Sequence, residues 1–344
     1  MRAHRSFVVV GPLVVLAVTL TLLLPGGARG ADSASLAGLR VLLTNDDSVQ
    51  ATNPLGLDGK GLYEVRRALC AAGADVVAVA PWGQQSGSSA RLTTPAVQAP
   101  PLTVQQVIPP PPYTADCVAA PNGGPVYGVC QANAPCTPTS SSASPSDSVI
   151  VALARFIPAN FWPKGPHLVV SGVNFGQNAG RAVNHSGTVG AVVTAGEFRR
   201  PAVAFSAEVD LSCTPNQATS LVCVPLADAA NFASGFIGKL RAGKMLTPGL
   251  LLNVNYPVVR PGEKLGKPVL AFIGTGVDVG FAYSGDVGRN GGTYSVVVGA
   301  PVADRRARAD TTVLGRNNIP VTVLDADWGT AARERLRRFI ATAF

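Results

Sequence analysis

The sequence predicts an α/β protein, a Rossmann-like three-layer sandwich with a mostly parallel sheet and a strand-rich C-terminal extension. Three observations predict it. Residues 41–44, 75–80 and 167–171 are short apolar runs bounded by turn residues, the pattern of strands buried on both faces. The first two runs flank residues 61–72, where Leu62, Val65, Ala68 and Leu69 keep helical spacing and Gly73 terminates. Such a β-α-β unit implies parallel strands and a right-handed crossover. Each run also leads into a polar or glycine-rich loop, and open α/β sheets bind ligands beyond the carboxyl ends of their strands.

A chain of 344 residues with 47% hydrophobic and 14% charged residues can bury a sizeable core and is globular. Residues 1–30 read as a signal peptide: a basic start, an apolar run over 7–24, then helix breakers and small residues near Gly30. Export to a secreted or extracytoplasmic location follows, with no stable membrane association after cleavage. Arg2, Arg5 and Arg29 lie in that leader, so the formal charge of +8 drops by three, to +5, in the mature chain. No basic stripe is interleaved with aromatics, which argues against nucleic acid as the main partner. The arginines of 333–338 read as the solvated face of a closing helix over 329–344.

Residues 93–146 read as an insertion, with a polyproline run at 109–112 and low-complexity linker material at 137–145. In an exported chain its cysteines are expected to be bridged rather than catalytic. Cys213 and Cys223 flank one loop and are expected to pair, as are two of Cys117, Cys130 and Cys136. Cys70, on the first helix, reads as a buried thiol. The stretch after residue 147 is expected to resume as a helix to 156. In the C-terminal extension, from about residue 260, runs at 269–273, 294–298 and 321–324 are strand candidates.

The chemistry gathers where the strands end. Asp46 and Asp47 close the first run, and two adjacent carboxylates there repel each other and lose solvation unless a bound cation relieves them. By themselves they fit a turn or helix cap equally well. The loop after the second run carries Ser86, and the loop after the 167–171 run carries Asn174 and Asn178 among glycines that permit close approach. Ser186-Gly187-Thr188 opens a further helix, where a hydroxyl caps and free N–H groups can hold an anion. Two carboxylates, a hydroxyl and an amide oxygen suit Mg²⁺ or Mn²⁺. Zinc fits poorly, because outside the leader only His167 and His185 remain. There is no Gly-x-Ser-x-Gly elbow and no phosphate-binding Gly-x-x-x-x-Gly-Lys-Ser/Thr loop.

Asn45-Asp46-Asp47, Gln85-Ser86-Gly87, Ser171-Gly172-Val173-Asn174 with Asn178, and Ser186-Gly187-Thr188-Val189-Gly190-Ala191 occur in an order that resembles the SurE family. Residues 144–149 resemble the family's Thr-Pro-x-Asp-Cys-Val segment, and 252–257 its Leu-Asn-Ile-Asn-x-Pro segment. The resemblance covers roughly 39–92 and 144–330 and implies one SurE-like phosphatase domain over 31–344. It implies a 5'/3'-nucleotidase or acid phosphatase, with one divalent cation on Asp46, Asp47, Ser86 and Asn174. Asp46 and Asp47 would be catalytic, and Asn178, Ser186, Gly187 and Thr188 would cradle the phosphate of a small phosphomonoester. Homodimers or tetramers built through the C-terminal region are implied too. Ser48 replaces a family glycine, Gln85 a common arginine, and Thr194 an acidic residue. A broad-specificity acid phosphatase or polyphosphatase, or a non-catalytic exported phospholigand-binding protein, are the other readings of the same residues.

Overall fold

In the computed structural model, residues 35–50, 59–95, 100–210, 212, 223–285, 288–326 and 334–343 are described. Within them the strands are β1 Arg40–Thr44, β2 Asp75–Pro81, β3 Leu102–Val107, β4 Val126–Gln131, β5 Leu168–Phe175 and β6 Ala202–Ala207, followed by β7 Leu251–Tyr256, β8 Pro268–Ala271, β9 Gly280–Ser284, β10 Ser295–Gly299 and β11 Ile319–Val323. The helices are α1 Lys60–Ala71, α2 Pro145–Val151, α3 Ile157–Asn160, α4 Gly187–Glu197, α5 Leu226–Ala242, α6 Asp310–Leu314 and α7 Glu334–Ala343. A π-type turn over Ala152–Phe156 joins α2 to α3, and a 3₁₀ turn over Gly180–His185 precedes α4.

Nine strands form one sheet in the order β3-β4-β2-β1-β5-β6-β7-β11-β8. From β4 to β7 every neighbour is parallel; β3 and β11 pair antiparallel to β4 and β7. Side chains alternate along a strand, and β1 shows the consequence. Val41 and Leu43 enter one core with Leu62, Leu69 and Ile237 of α1 and α5, while Leu42 enters the other with Val149 and Val192 of α2 and α4. Both faces are covered, so the strands had to read as unbroken apolar runs. That is the expected three-layer arrangement.

The chain runs outward from β1 through β2 toward β4 and β3, then returns to β5 on the other side of β1. The boundary between β1 and β5 is therefore a topological switch point, where the connections leave in opposite directions and a crevice opens. Asp46 and Asp47 follow β1, and β5 runs on to Phe175, so Asn174 lies in the last part of that strand and not on the loop expected after it. Topology alone brings them together.

Four expectations need correction. The stretch read as an insertion is not all linker, because β3 and β4 extend the central sheet and register Ala78 against Val126. Proline and serine density hid two six-residue strands. The supposed linker 137–145 ends in a helix start: Ser144 and Asp147 form a reciprocal capping box with Pro145 at the first helical position. Cys70 is not a free thiol but is bridged to Cys117, which fastens this segment to α1. The C-terminal third is also less separate than expected, since β8 and β11 complete the main sheet, while among the described residues β9 and β10 pair as a two-stranded sheet of their own. Cys130 and Cys136 are bridged as two of the three expected cysteines. The Cys213–Cys223 pairing involves Cys213, which lies outside the described residues, as do residues 327–333 at the expected start of α7.

The two bridges close loops of very different length, 47 and 6 residues of separation. On chain-entropy grounds loss of the long one costs about 4 kcal/mol and of the short one about 2 kcal/mol. Chemical unfolding of Cys70→Ala/Cys117→Ala and Cys130→Ala/Cys136→Ala should rank them in that order; the reverse order would contradict it. Arg66 supports the longer tie. Its buried guanidinium donates to the carbonyls of Gly124, Tyr113 and Asp116.

Candidate active site

Beyond β1 the chain turns sharply. Asn45 Nδ2 donates to the Ser48 carbonyl at 3.2 Å, and Ser48 has φ +95°, the left-handed region where the resembled glycine would sit without strain. The Ser48 hydroxyl accepts from Gln50 N–H at 3.1 Å, so a local hydrogen bond offsets part of that cost. This turn leaves Asp46 and Asp47 buried, at 2% and 4% exposure.

The two carboxylates are held differently. Asp46 Oδ1 accepts from the Thr188 hydroxyl at 2.5 Å, and the Gly187 and Thr188 backbone N–H groups also point to it. Asp46 thus sits at the positive N-terminus of α4, capped by Ser186 Oγ, which accepts from Val189 N–H at 3.1 Å. Burial still dominates and raises the Asp46 pKa despite these hydrogen bonds. Asp47 Oδ2 accepts from Phe175 N–H at 2.9 Å, which ties it to the end of β5 beside Asn174.

Asn174 is buried; its Nδ2 donates to the Gly176 carbonyl at 2.7 Å, while its Oδ1 has no hydrogen-bond partner among the described residues. The loop after β2 is drawn in by Gln85 N–H donating to the Asp46 carbonyl at 2.7 Å. Ser86 lies exposed on that loop. Sequence reasoning missed Ser88, whose buried hydroxyl also lacks a partner. A Cβ on Gly187 would fall 2.7 Å from Ser88 Oγ and 2.9 Å from Asp46 Oδ2, so both oxygens crowd the same spot. The doubled serine of Ser88-Ser89 was the available signal.

Asn178 is locked rather than loose. Its N–H donates to Asn255 Oδ1, its Nδ2 to Ser206 Oγ, and its carbonyl accepts from Asn253 and Asn255. The Leu-Asn-Val-Asn-Tyr run of β7 therefore positions the loop beyond β5. Asp310, also missed, holds Gly180 N–H at 2.9 Å and Gly274 N–H at 2.8 Å, joining that loop to the C-terminal region.

The donor set fits a hard cation. Among the described residues no cluster of three or more His, Cys, Asp and Glu is placed to bind metal. An ion here would rest on two carboxylates and neutral oxygens, and the partnerless Asn174 Oδ1 is such an oxygen.

Just past β6, burial pushes Glu208 up to about 7, with Asp278 adding to the rise; Val258 N–H donates to it at 2.9 Å. Between its ordinary value of 4.5 and about 7 the folded state binds the extra proton. Stability contributed here therefore falls as pH rises through that window. Glu208→Gln should flatten the slope and gain about 2 kcal/mol more at pH 8 than at pH 5. Equal effects at both pH values would refute this.

An α/β fold with a mostly parallel sheet and acidic and amide oxygens gathered at its switch point defines the class of open-sheet α/β proteins. The family model described as "Survival protein SurE" matches residues 41–271, and the chain belongs to the SurE family. It is 33% identical over 227 residues to the 5'-nucleotidase SurE of Desulfovibrio desulfuricans, covering 64% of this chain and 66% of that one. A protein of the same name from Parvibaculum lavamentivorans is 30% identical over 231 residues, covering 67% and 65%. The chain thus spans about two thirds of the length of these relatives. The solved SurE protein from Aquifex aeolicus superimposes with a TM-score of 0.60 at 20% identity, covering 88% of this chain and 99% of that one. That likeness supports the fold.

Proposed function

We propose that this protein is a divalent-metal-dependent phosphomonoesterase that hydrolyses nucleoside monophosphates to nucleoside and phosphate. The observation that carries the reading is the meeting of Asp46, Asp47 and the partnerless Asn174 Oδ1 at the switch point, under the N-terminus of α4. The names of the relatives, 5'-nucleotidase SurE, supply the substrate class.

Asp46, Asp47, Asn174 and a loop serine, Ser86 or Ser88 with its buried hydroxyl, would hold Mg²⁺ or Mn²⁺. Such an ion polarises a phosphoryl group and acidifies bound water. Asp47, oriented by Phe175 N–H, takes up the proton of the attacking water. Thr188 and the first N–H groups of α4 fix Asp46, the positive end of α4 would favour a phosphate beside it, and Asn178 keeps the neighbouring loop in place.

The test is hydrolysis of p-nitrophenyl phosphate and a panel of nucleotides, with and without chelator. Loss of activity on chelation, its return with Mg²⁺ or Mn²⁺, and preference for nucleoside monophosphates are expected. Equal rates on every phosphomonoester would support a broad acid phosphatase instead, and binding without turnover a phospholigand-binding protein. The leader supports export with cleavage near Gly30, which N-terminal sequencing of secreted material would check. The exposed Phe281, Tyr283, Val296 and Val298 of the β9–β10 ribbon support a homodimer or tetramer, checked by sedimentation.

A further inference from the structure

The edge of the sheet opposite the candidate active site carries its own feature. The turns entering β1, β5, β6 and β7 border an open cavity of about 490 Å³. His167, Arg199, Arg200, Arg241 and Lys244 line it, and Arg40 of β1 reaches His167. Among the described residues the ion pairs are Arg67 with Glu64 and Asp116, Arg260 with Asp210, and Arg306 with Asp304. No cation of the cavity has a carboxylate partner there. Asp75, in register with Arg40, is committed elsewhere, accepting from Asn122 and Trp162.

Capping of helix C-termini explains part of this charge, since Arg241 lies in the last turn of α5. It does not explain the rest. The Arg200 guanidinium donates to the loop carbonyls of Lys164 and Pro166, not to a helix end. His167 Nδ1 lies 3.1 Å from Arg40 N–H, and a neutral imidazole can accept at only one of its two nitrogens. Its Nε2 lies 2.8 Å from Arg40 Nη2, so in either tautomer one of the two contacts sets donor against donor. Arg40 Nε is buried with no partner. An anion oxygen at this contact would accept from both groups. Burial first, then Arg40, Arg241 and Arg200, lower the His167 pKa, as expected beside concentrated positive charge.

We infer that this amino-edge cavity is a second binding site, for a soluble oligophosphate anion carrying several charges. Its volume lies in the range of small-ligand sites, roughly 300–1,000 Å³, and exceeds what a single phosphate fills. A recess lined by cations suits a soluble polyanion better than a lipid surface.

Proton NMR of the histidines in purified protein, titrated with tripolyphosphate, tests this, with His167→Gln assigning the signal. The His167 resonance should move and its pKa rise by about 1, with affinity falling as NaCl is raised. Arg241→Ser/Lys244→Ser should weaken binding at least ~10-fold while leaving hydrolysis of p-nitrophenyl phosphate unchanged. Asp47→Asn should leave the His167 response intact, separating this site from the catalytic edge. The inference fails if millimolar tripolyphosphate leaves His167 unmoved, if the folded double variant binds as the parent does, or if only phosphatidylglycerol vesicles bind. Should the double variant not fold, the His167 titration of the parent protein decides.

Discussion

Asp47→Asn should lower kcat on a nucleoside monophosphate by at least ~10²-fold, because the substitution removes a charge needed by both cation and proton transfer. Its shape is kept, and Phe175 N–H can still donate to the side chain, so the β1–β5 junction should survive. The contrast with Ser186→Ala makes the result interpretable. Ser186 Oγ caps α4 through Val189 N–H, so its loss should cost about 1 kcal/mol of stability and little rate. Steady-state kinetics together with denaturant unfolding separate the two. An Asp47→Asn enzyme as fast as the parent, or a parent indifferent to chelator, would sink the metal-phosphatase reading.

Gly61→Ala should destabilise the fold by about 3 kcal/mol and reduce activity with it. Helix propensity points the other way, since alanine in a helix interior gains roughly 0.5–1 kcal/mol over glycine. Geometry decides. A Cβ at residue 61 would run into the Val173 carbonyl oxygen and stand 2.9 Å from its carbon, and this is backbone that cannot swing aside. Val173 precedes Asn174, so the displacement travels directly to a proposed ligand. Urea unfolding monitored alongside hydrolysis would check this. A variant more stable than the parent would show that α1 and β5 can separate without cost.

Much of the fold was legible because burial on both sheet faces leaves a simple mark. The strands β1, β2 and β5 are built on apolar runs at 41–43, 76–80 and 168–170, and the spacing of Leu62, Val65 and Leu69 fixes one helical face. β3 and β4 were not legible, because β3 is an edge strand, only partly buried, and its neighbours are prolines and serines that elsewhere mark linkers. Cys70 read as a buried thiol for a related reason: its partner Cys117 lies 47 residues away, and nothing local encodes that approach.

The same division runs through the site. The sequence by itself determined which oxygens are available, since Asp46, Asp47, Asn174 and Ser186 each follow or open an element whose type the local pattern sets. Tertiary structure alone decided how they are used. The strand order puts the ends of β1 and β5 side by side, so Phe175 N–H can hold Asp47. Packing of α4 against that edge directs Gly187 and Thr188 to Asp46 and leaves the Ser88 hydroxyl buried beside them. It also placed Asp310 between Gly180 and Gly274, and gathered Arg40, His167, Arg200 and Arg241 at the opposite edge. Periodicity reports which face of an element is buried; it carries no record of which distant element will cover that face.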